Sequence, residues 1–272
     1  MLVESATDQV HASVQRAPVM RLKMNLVASA GVLVAALVLW QVVPSVIGVP
    51  SFIFPTLAAT VAEIWNMALH EDLLRHVAST SMNVLIGFAA GCIFGMAVGY
   101  FLGLCRSAEM VISPYLLLLQ IAPKVAFAPL FIMWFGYTIM PKVLVTTLMV
   151  FFPVAINVLS AMRGVDPDLI RLAKSLNSTP SQIFWTIQFR ASIPELMAGL
   201  RIGATLAVVG VVVGEMVGGN TGLGYLLIYA QGQANTAAVF GSIILLTVIG
   251  IVAYVSVVFV ERYALSWRPP AS

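Results

Sequence analysis

The sequence predicts an all-α integral membrane protein of six transmembrane helices, with a folded polar loop between the fourth and the fifth. Three observations carry that expectation. The residues are 60% hydrophobic and 9% charged, against roughly 25% charged in an average soluble domain. Apolar runs long enough to cross a bilayer recur along the chain, bounded by charge, proline or glycine. The basic residues fall almost entirely on one side of the topology that those runs define. The net charge of +3 is therefore a topological signal and no nucleic-acid footprint, because no basic stripe interleaved with aromatics accompanies it. Cys92 and Cys105 lie in or at the end of one apolar run, so neither a disulfide framework nor a metal spacing can be drawn from them.

Residues 1–23 form a polar tail with Arg16, Arg21 and Lys23 just before the first span, 24–43. Trp40, Gln41 and Pro44 follow that run instead of a small-residue cleavage site, which favours a retained helix over a signal peptide. Residues 44–76 read as an outer loop. Within it Thr56 can cap an amphipathic helix carrying Leu57, Val61, Ile64, Trp65 and Leu69 along one side, with His76 close by in an interfacial or capping role. The core extends over 77–262 and a short tail over 263–272. Span two, about 77–104, carries Gly87, Gly91, Gly95, Gly99 and Gly103 at every fourth position, a stripe that invites close approach of another helix.

Span three, about 109–134, contains Pro114, Pro123 and Pro129, so it is expected to be interrupted where the backbone faces protein or a water-filled path. Lys142 marks the next turn, and span four runs to about Met162. Span five covers about 196–217 and span six about 239–260. The glycine-rich segment between them is a loop with room for one short helix, and Gly222–Gly224 suits a tight turn.

An even number of spans puts both termini on one side, together with Arg106, Arg163, Arg171, Lys174, Arg190, Arg201, Arg262 and Arg268. Arg75 and Lys142 fall opposite, and Lys124 lies within the membrane. That asymmetry makes the loop 163–195 cytoplasmic. Asp166 can N-cap a helix that starts at Pro167, and Thr179 can cap another at Pro180 with Gln182 closing a capping box. Asn177 between them readily takes a left-handed conformation. Two helices joined by a tight turn outside the bilayer suit a docking element for a soluble partner.

The loop VDPDLIRLAKSLNSTPSQIFWTIQFRASIP resembles the EAA loop of permease subunits of bacterial ATP-binding-cassette importers, closest to the nitrate, sulfonate and taurine type. LLRHVASTSMNVLIGF, APLFIMWFG, FFPVAINVLSAMRGVDP and AGLRIGATLAVVGVVVGEMVGGNTGLGYLL agree in order and spacing from about residue 50 onward. The resemblance implies a type I importer-like permease in the bacterial inner membrane, working as a homodimer. It also implies two cytoplasmic ATPase subunits and a periplasmic or lipid-anchored substrate-binding protein. The coupling loop would then comprise Asp166, Asp168, Arg171, Ala173, Lys174, Leu176, Asn177, Ser178 and Phe184. Three positions depart from the family pattern: Arg171 stands at its glutamate, Asn177 at its glycine and Arg190 at a common proline, while Ala173 is kept.

The chain has no GxxxxGK[ST], so ATP and magnesium would be bound by the partner subunits and no cofactor or metal by this chain. No catalytic residue is expected, because His11, His70 and His76 are not spaced for a reactive set. Lys124 and Glu215 are the membrane charges that need explanation. At 1.5 Å per residue their depths agree within roughly 7 Å. They could pair beside the translocation path, Lys124 could attract an anionic solute, or Lys124 could snorkel while Glu215 lies near the outer interface. Asn157, Gln120 and Arg201 suit hydrogen bonding between helices or, for Arg201, the interface. The favoured function is therefore ATP-driven uptake of a small anion. A secondary transporter would more naturally show internal repeats, and no convincing repeat is present.

Overall fold

The computed structural model describes residues 28–266, in which all regular structure is helical. The tail 1–23, the start of the first span at 24–27 and the end of the second tail, with Arg268, lie outside the described residues. Helix α1 covers Ala28–Ile47. It is followed by α2 (Leu57–His70), α3 (Leu73–Leu104) and α4 (Arg106–Ile121), then a 3₁₀ turn (Lys124–Phe127) and α5 (Ala128–Phe135). Beyond these come α6 (Ile139–Arg163), α7 (Pro167–Ser175) and α8 (Pro180–Ile183), a π turn (Phe184–Gln188), α9 (Phe189–Gly218), α10 (Leu223–Gly232) and α11 (Thr236–Ala264). Five helices are long and apolar enough to cross a membrane, and α4 with α5 makes a sixth span bent by 85°.

The bend has a local cause. Ala122 is extended at ψ 139°, as the residue before a proline prefers, and Pro123 cannot continue the i→i−4 ladder. Of the three prolines in this span only Pro123 breaks it. Pro114 sits inside α4 and Pro129 in the first turn of α5, where no intrahelical donor is required.

The centre of the molecule is α6, held between α3 and α9. The predicted glycine stripe of α3 lies against it in register. A Cβ on Gly91 would come within 2.5 Å of Val150 Cβ, on Gly95 within 2.9 Å of the Phe151 carbonyl oxygen, and on Gly99 within 2.7 Å of Val158 Cβ. Both series ascend together, so α3 and α6 run parallel. From the other side α9 approaches antiparallel, with Gly203 against Val150, Gly210 against Thr146 and Gly214 against Lys142. On Gly210 and Gly214 a Cβ would come within 2.7 Å and 2.8 Å of the α-carbons opposite. The three backbones are thus as close as small residues permit, which is how helices gain van der Waals contact where lipid is as apolar as leucine. Val145, Val150, Val154, Val158, Ala207 and Val211 are fully buried in this slab.

Several boundaries differ from the expectation. The second span begins at Leu73, directly after α2, with Asp72 in a left-handed conformation between them (φ 48°). Lys142 is not a turn residue: Thr138 caps α6, and Lys142 lies within its first turn, 5% exposed. The second loop helix does not stop before span five. It passes through the π turn into α9, so 180–218 is one continuous helical element, and Pro194 is accommodated inside it.

Around the slab, α11 packs on α9, α10 and α2. Gly241 of α11 admits Ile64 of α2, and Asn235 donates to the Glu63 carboxylate at 2.7 Å. Helix α1 is tied on near its C-terminal end. Trp40 Nε1 donates to the Pro55 carbonyl at 3.0 Å, and Trp40 and Phe54 both meet the Phe240 ring.

Candidate functional site

Two polar assemblies stand out, one at each end of the slab. The first is the loop between α6 and α9. Asp166 Oδ1 accepts from the Asp168 N–H at 2.8 Å, capping α7. Thr179 and Gln182 form the reciprocal capping box of α8. Asn177 takes φ 57°. Around it the Ser178 N–H reaches the Ala173 carbonyl and the Asn177 N–H the Lys174 carbonyl, both at 3.0 Å. These are the two bonds of a Schellman motif, with asparagine where glycine is commonest.

Within this frame α7 turns Ala173 inward, 8% exposed, and leaves Leu169, Leu172 and Leu176 exposed along one side. Arg171 pairs with Asp168 of its own helix at 2.8 Å, and Lys174 is exposed beyond them. Phe184 does not join this exposed surface. Its ring meets Tyr100 of α3 edge-on at 5.5 Å, beside Trp185 and Phe189. The Tyr100 hydroxyl is in turn 2.9 Å from Ser192 Oγ. Phe184 therefore joins the loop to the slab; a span-embedded tyrosine supplies the apolar seat that a loop reading cannot show.

The second assembly, at the opposite end, surrounds Glu215, which is 1% exposed. Thr80 Oγ1 donates to its carboxylate at 2.9 Å, Asn83 Nδ2 at 3.2 Å and the Gly224 N–H at 3.0 Å. Thr80 Oγ1 also accepts from the Leu223 N–H at 2.8 Å. Lys142 Nζ donates to the Thr221 carbonyl at 3.4 Å. His76 Nδ1 accepts from the Gly222 N–H at 3.0 Å, and its ring stacks on Tyr225. Gly222 adopts φ 111°, and a Cβ there would overlap the Glu215 carboxylate. The arrangement ties α3, α9, the turn 219–222 and α10 into one unit.

Lys124 and Glu215, considered together in the sequence, are not partners. Lys124 stands at the elbow of the bent span, donates to the Gln120 carbonyl at 2.5 Å and lies 4.9 Å from the centre of the Phe152 ring. With Gln120, Met149, Pro153 and Leu206 it lines a cavity of about 240 Å³. Glu215 is closed in by its own donors, and the cation in its neighbourhood is Lys142. Asn157 turns back to the Pro153 carbonyl of its own helix at 2.8 Å rather than bonding across helices. Arg201 pairs with Glu261 of α11. Among the described residues no group of three metal-ligating side chains converges.

Thr80 and Asn83 escaped the sequence reading, while His76 was given an interfacial or capping role and Lys142 a turn, without their place around Glu215. One signal could have found Asn83. It stands four residues before Gly87, in the register of the glycine stripe, so it faces the same neighbours.

Residues 87–264 match the family described as the binding-protein-dependent transport system inner membrane component. The chain is 32% identical over 240 residues to the putative aliphatic sulfonates transport permease protein SsuC of Bacillus subtilis, covering 88% of this chain and 87% of that one. It is 34% identical over 236 residues to the riboflavin transport system permease protein RibX of Chloroflexus aurantiacus, covering 87% and 88%. Its fold is similar to that of the MetNI methionine ABC transporter in an inward-facing conformation, at TM-score 0.62 and 18% identity, over 71% of this chain and 95% of that one. With a helical membrane slab, a bent span and a folded polar loop of this build, the chain belongs to the ABC importer inner-membrane permeases.

Proposed function

We propose that the chain is the membrane-spanning subunit of an ATP-driven importer and carries a small organic anion inward by alternating access. Two copies would form the pathway. Two ATPase subunits would bind the loop 163–195, and an external substrate-binding protein would deliver the solute. The chain itself would do no covalent chemistry. The observation that carries this reading is the surface of α7. Leu169, Leu172 and Leu176 are exposed on a helix that is capped at both ends and set between two spans. A rigid apolar face beyond the membrane supports docking into a groove of a soluble protein. The cations at that end of the slab, Arg106, Arg163, Arg171, Lys174, Arg190, Arg201 and Arg262, support its placement in the cytoplasm.

The anion assignment has two supports. One is the similarity to the sulfonate permease of B. subtilis and, at 25% identity, to the taurine transport system permease protein TauC of Escherichia coli. The other is the Lys124 ammonium at the elbow of the bent span, beside a small cavity against α6. Ionisable groups at such depth mark pathways more often than structure. A tagged chain expressed with its partners should co-purify an ATPase whose turnover rises when solute-loaded binding protein is added. Uptake that needs no ATPase and collapses with the ion gradient would instead make it a secondary transporter. Lys124→Gln should reduce uptake of the anion while leaving the complex assembled, and unchanged uptake would remove Lys124 from the path.

A further inference from the structure

The cleft between the first three turns of α4 and the last residue of α6 has a chemistry that import does not require. Arg106, Glu109, Met110, Ser113, Pro114, Leu117 and Arg163 line a cavity of about 610 Å³. Glu109 is buried and pairs with Arg163 Nε, while Arg163 Nη2 donates to Ser113 Oγ at 3.2 Å. The Arg163 side chain nevertheless remains 50% exposed. Arg106 is exposed and pairs with no carboxylate among the described residues. Two guanidinium groups against one carboxylate leave the mouth of the cleft with a net positive charge.

The lining is also graded. The α4 residues follow one helix face, and the face changes from charged to apolar along the axis, from Arg106 to Leu117. At 1.5 Å per residue that gradient spans about 16 Å, starting at the helix end where cations gather and running into the hydrocarbon. Cationic and hydroxyl groups above an apolar groove match an amphiphile with an anionic head. Free phosphate would leave the apolar half unused. A second copy seated cleft to cleft would bring four arginines together against two glutamates, a like-charge contact that an isologous interface avoids.

We propose that this cleft binds one anionic phospholipid. Its phosphodiester is held by Arg106 and the exposed edge of Arg163, and an acyl chain lies along Met110, Pro114 and Leu117. The orientation proposed above fixes only the leaflet, and the test needs no transport, so its failure would leave the import reading untouched.

The test titrates the full-length chain, purified in neutral detergent, with dioleoylphosphatidylglycerol, dioleoylphosphatidylcholine and inorganic phosphate in parallel. Lipid retention is read by native mass spectrometry and stability by thermal unfolding. Phosphatidylglycerol should be retained and should raise the melting temperature, with phosphatidylcholine weaker and phosphate inert. Arg106→Gln should weaken phosphatidylglycerol about fivefold, the effect of one basic residue at a membrane surface, and Arg106→Lys should retain most of it. Leu117→Asn should weaken both lipids alike. Equal retention of the two lipids, no effect of Arg106→Gln, or phosphate competing as well as the anionic lipid would each overturn the proposal. So would disulfide formation between two copies through Leu117→Cys in a Cys105→Ser background.

Discussion

The two ends of the α3–α6–α9 slab handle their polar residues in opposite ways. At the Glu215 end each carboxylate oxygen has a donor within the chain, and the group is closed to solvent. At the loop end the backbone is capped with equal care, yet α7 and its C-cap leave three leucines exposed, and the Arg171–Asp168 ion pair lies between two side chains about three-quarters exposed. The first end is complete by itself. The second is built rigidly around a face that no described residue covers. A region stabilised from within should respond to substitution through its folding. A region rigid but uncovered should respond through what it binds.

The comparison breaks most sharply at Gly222. Its φ of 111° is strained for any residue with a side chain, and a Cβ there overlaps a carboxylate that three donors, Thr80 Oγ1, Asn83 Nδ2 and the Gly224 N–H, pin in place. Gly222→Ala should cost about 2–4 kcal/mol, read as a fall in melting temperature of the isolated chain. A wild-type melting temperature would mean that the turn rearranges freely and that the end is not closed. Next in size is Thr80→Val, which keeps the shape but leaves Glu215 and the Leu223 N–H each short of a partner. About 1–3 kcal/mol is expected, with Asn83→Leu lower because one bond is lost instead of two roles.

Much of the loop end was legible because its determinants are local. Asp166, Thr179, Gln182 and Asn177 act within three residues of themselves, and their preferences survive in any tertiary setting. The glycine stripe of α3 was legible for a related reason: a period of four places a face without naming its partner. The Glu215 end was not legible in the same way. Thr80 and Asn83 lie more than a hundred positions from Glu215 in sequence, and no periodicity pairs them. Lys142 reads as a loop charge because a lysine beside Pro141 and Thr138 resembles a turn. It is buried because Gly214 brings α9 against its α-carbon, which is a fact about two helices at once. Depth arithmetic left a Lys124–Glu215 pair open as one of three readings, since it fixes height along the membrane normal and nothing about azimuth. The 85° bend beside Lys124 is likewise outside what a count of residues can show.

The smallest expected effects sharpen the other half of the comparison. Leu172→Ala on α7 exposes less apolar surface than the wild type, so the isolated chain should melt as before. Binding of the proposed ATPase subunit should weaken about tenfold, the loss of one moderate interface contact, measured by co-purification at graded concentrations. A lowered melting temperature with unchanged ATPase binding would reverse the assignment of that face. Arg171→Ala should do least of all to stability. Its partner Asp168 is three residues away, and both side chains stand in solvent, where such pairs contribute about 0.5 kcal/mol or less. Any effect of this substitution on ATPase association that exceeds that figure must come from the partner's surface, since the chain itself has so little to lose. That makes Arg171 the residue whose binding and folding effects separate most cleanly, and so the most direct probe of whether the uncovered face is a docking face.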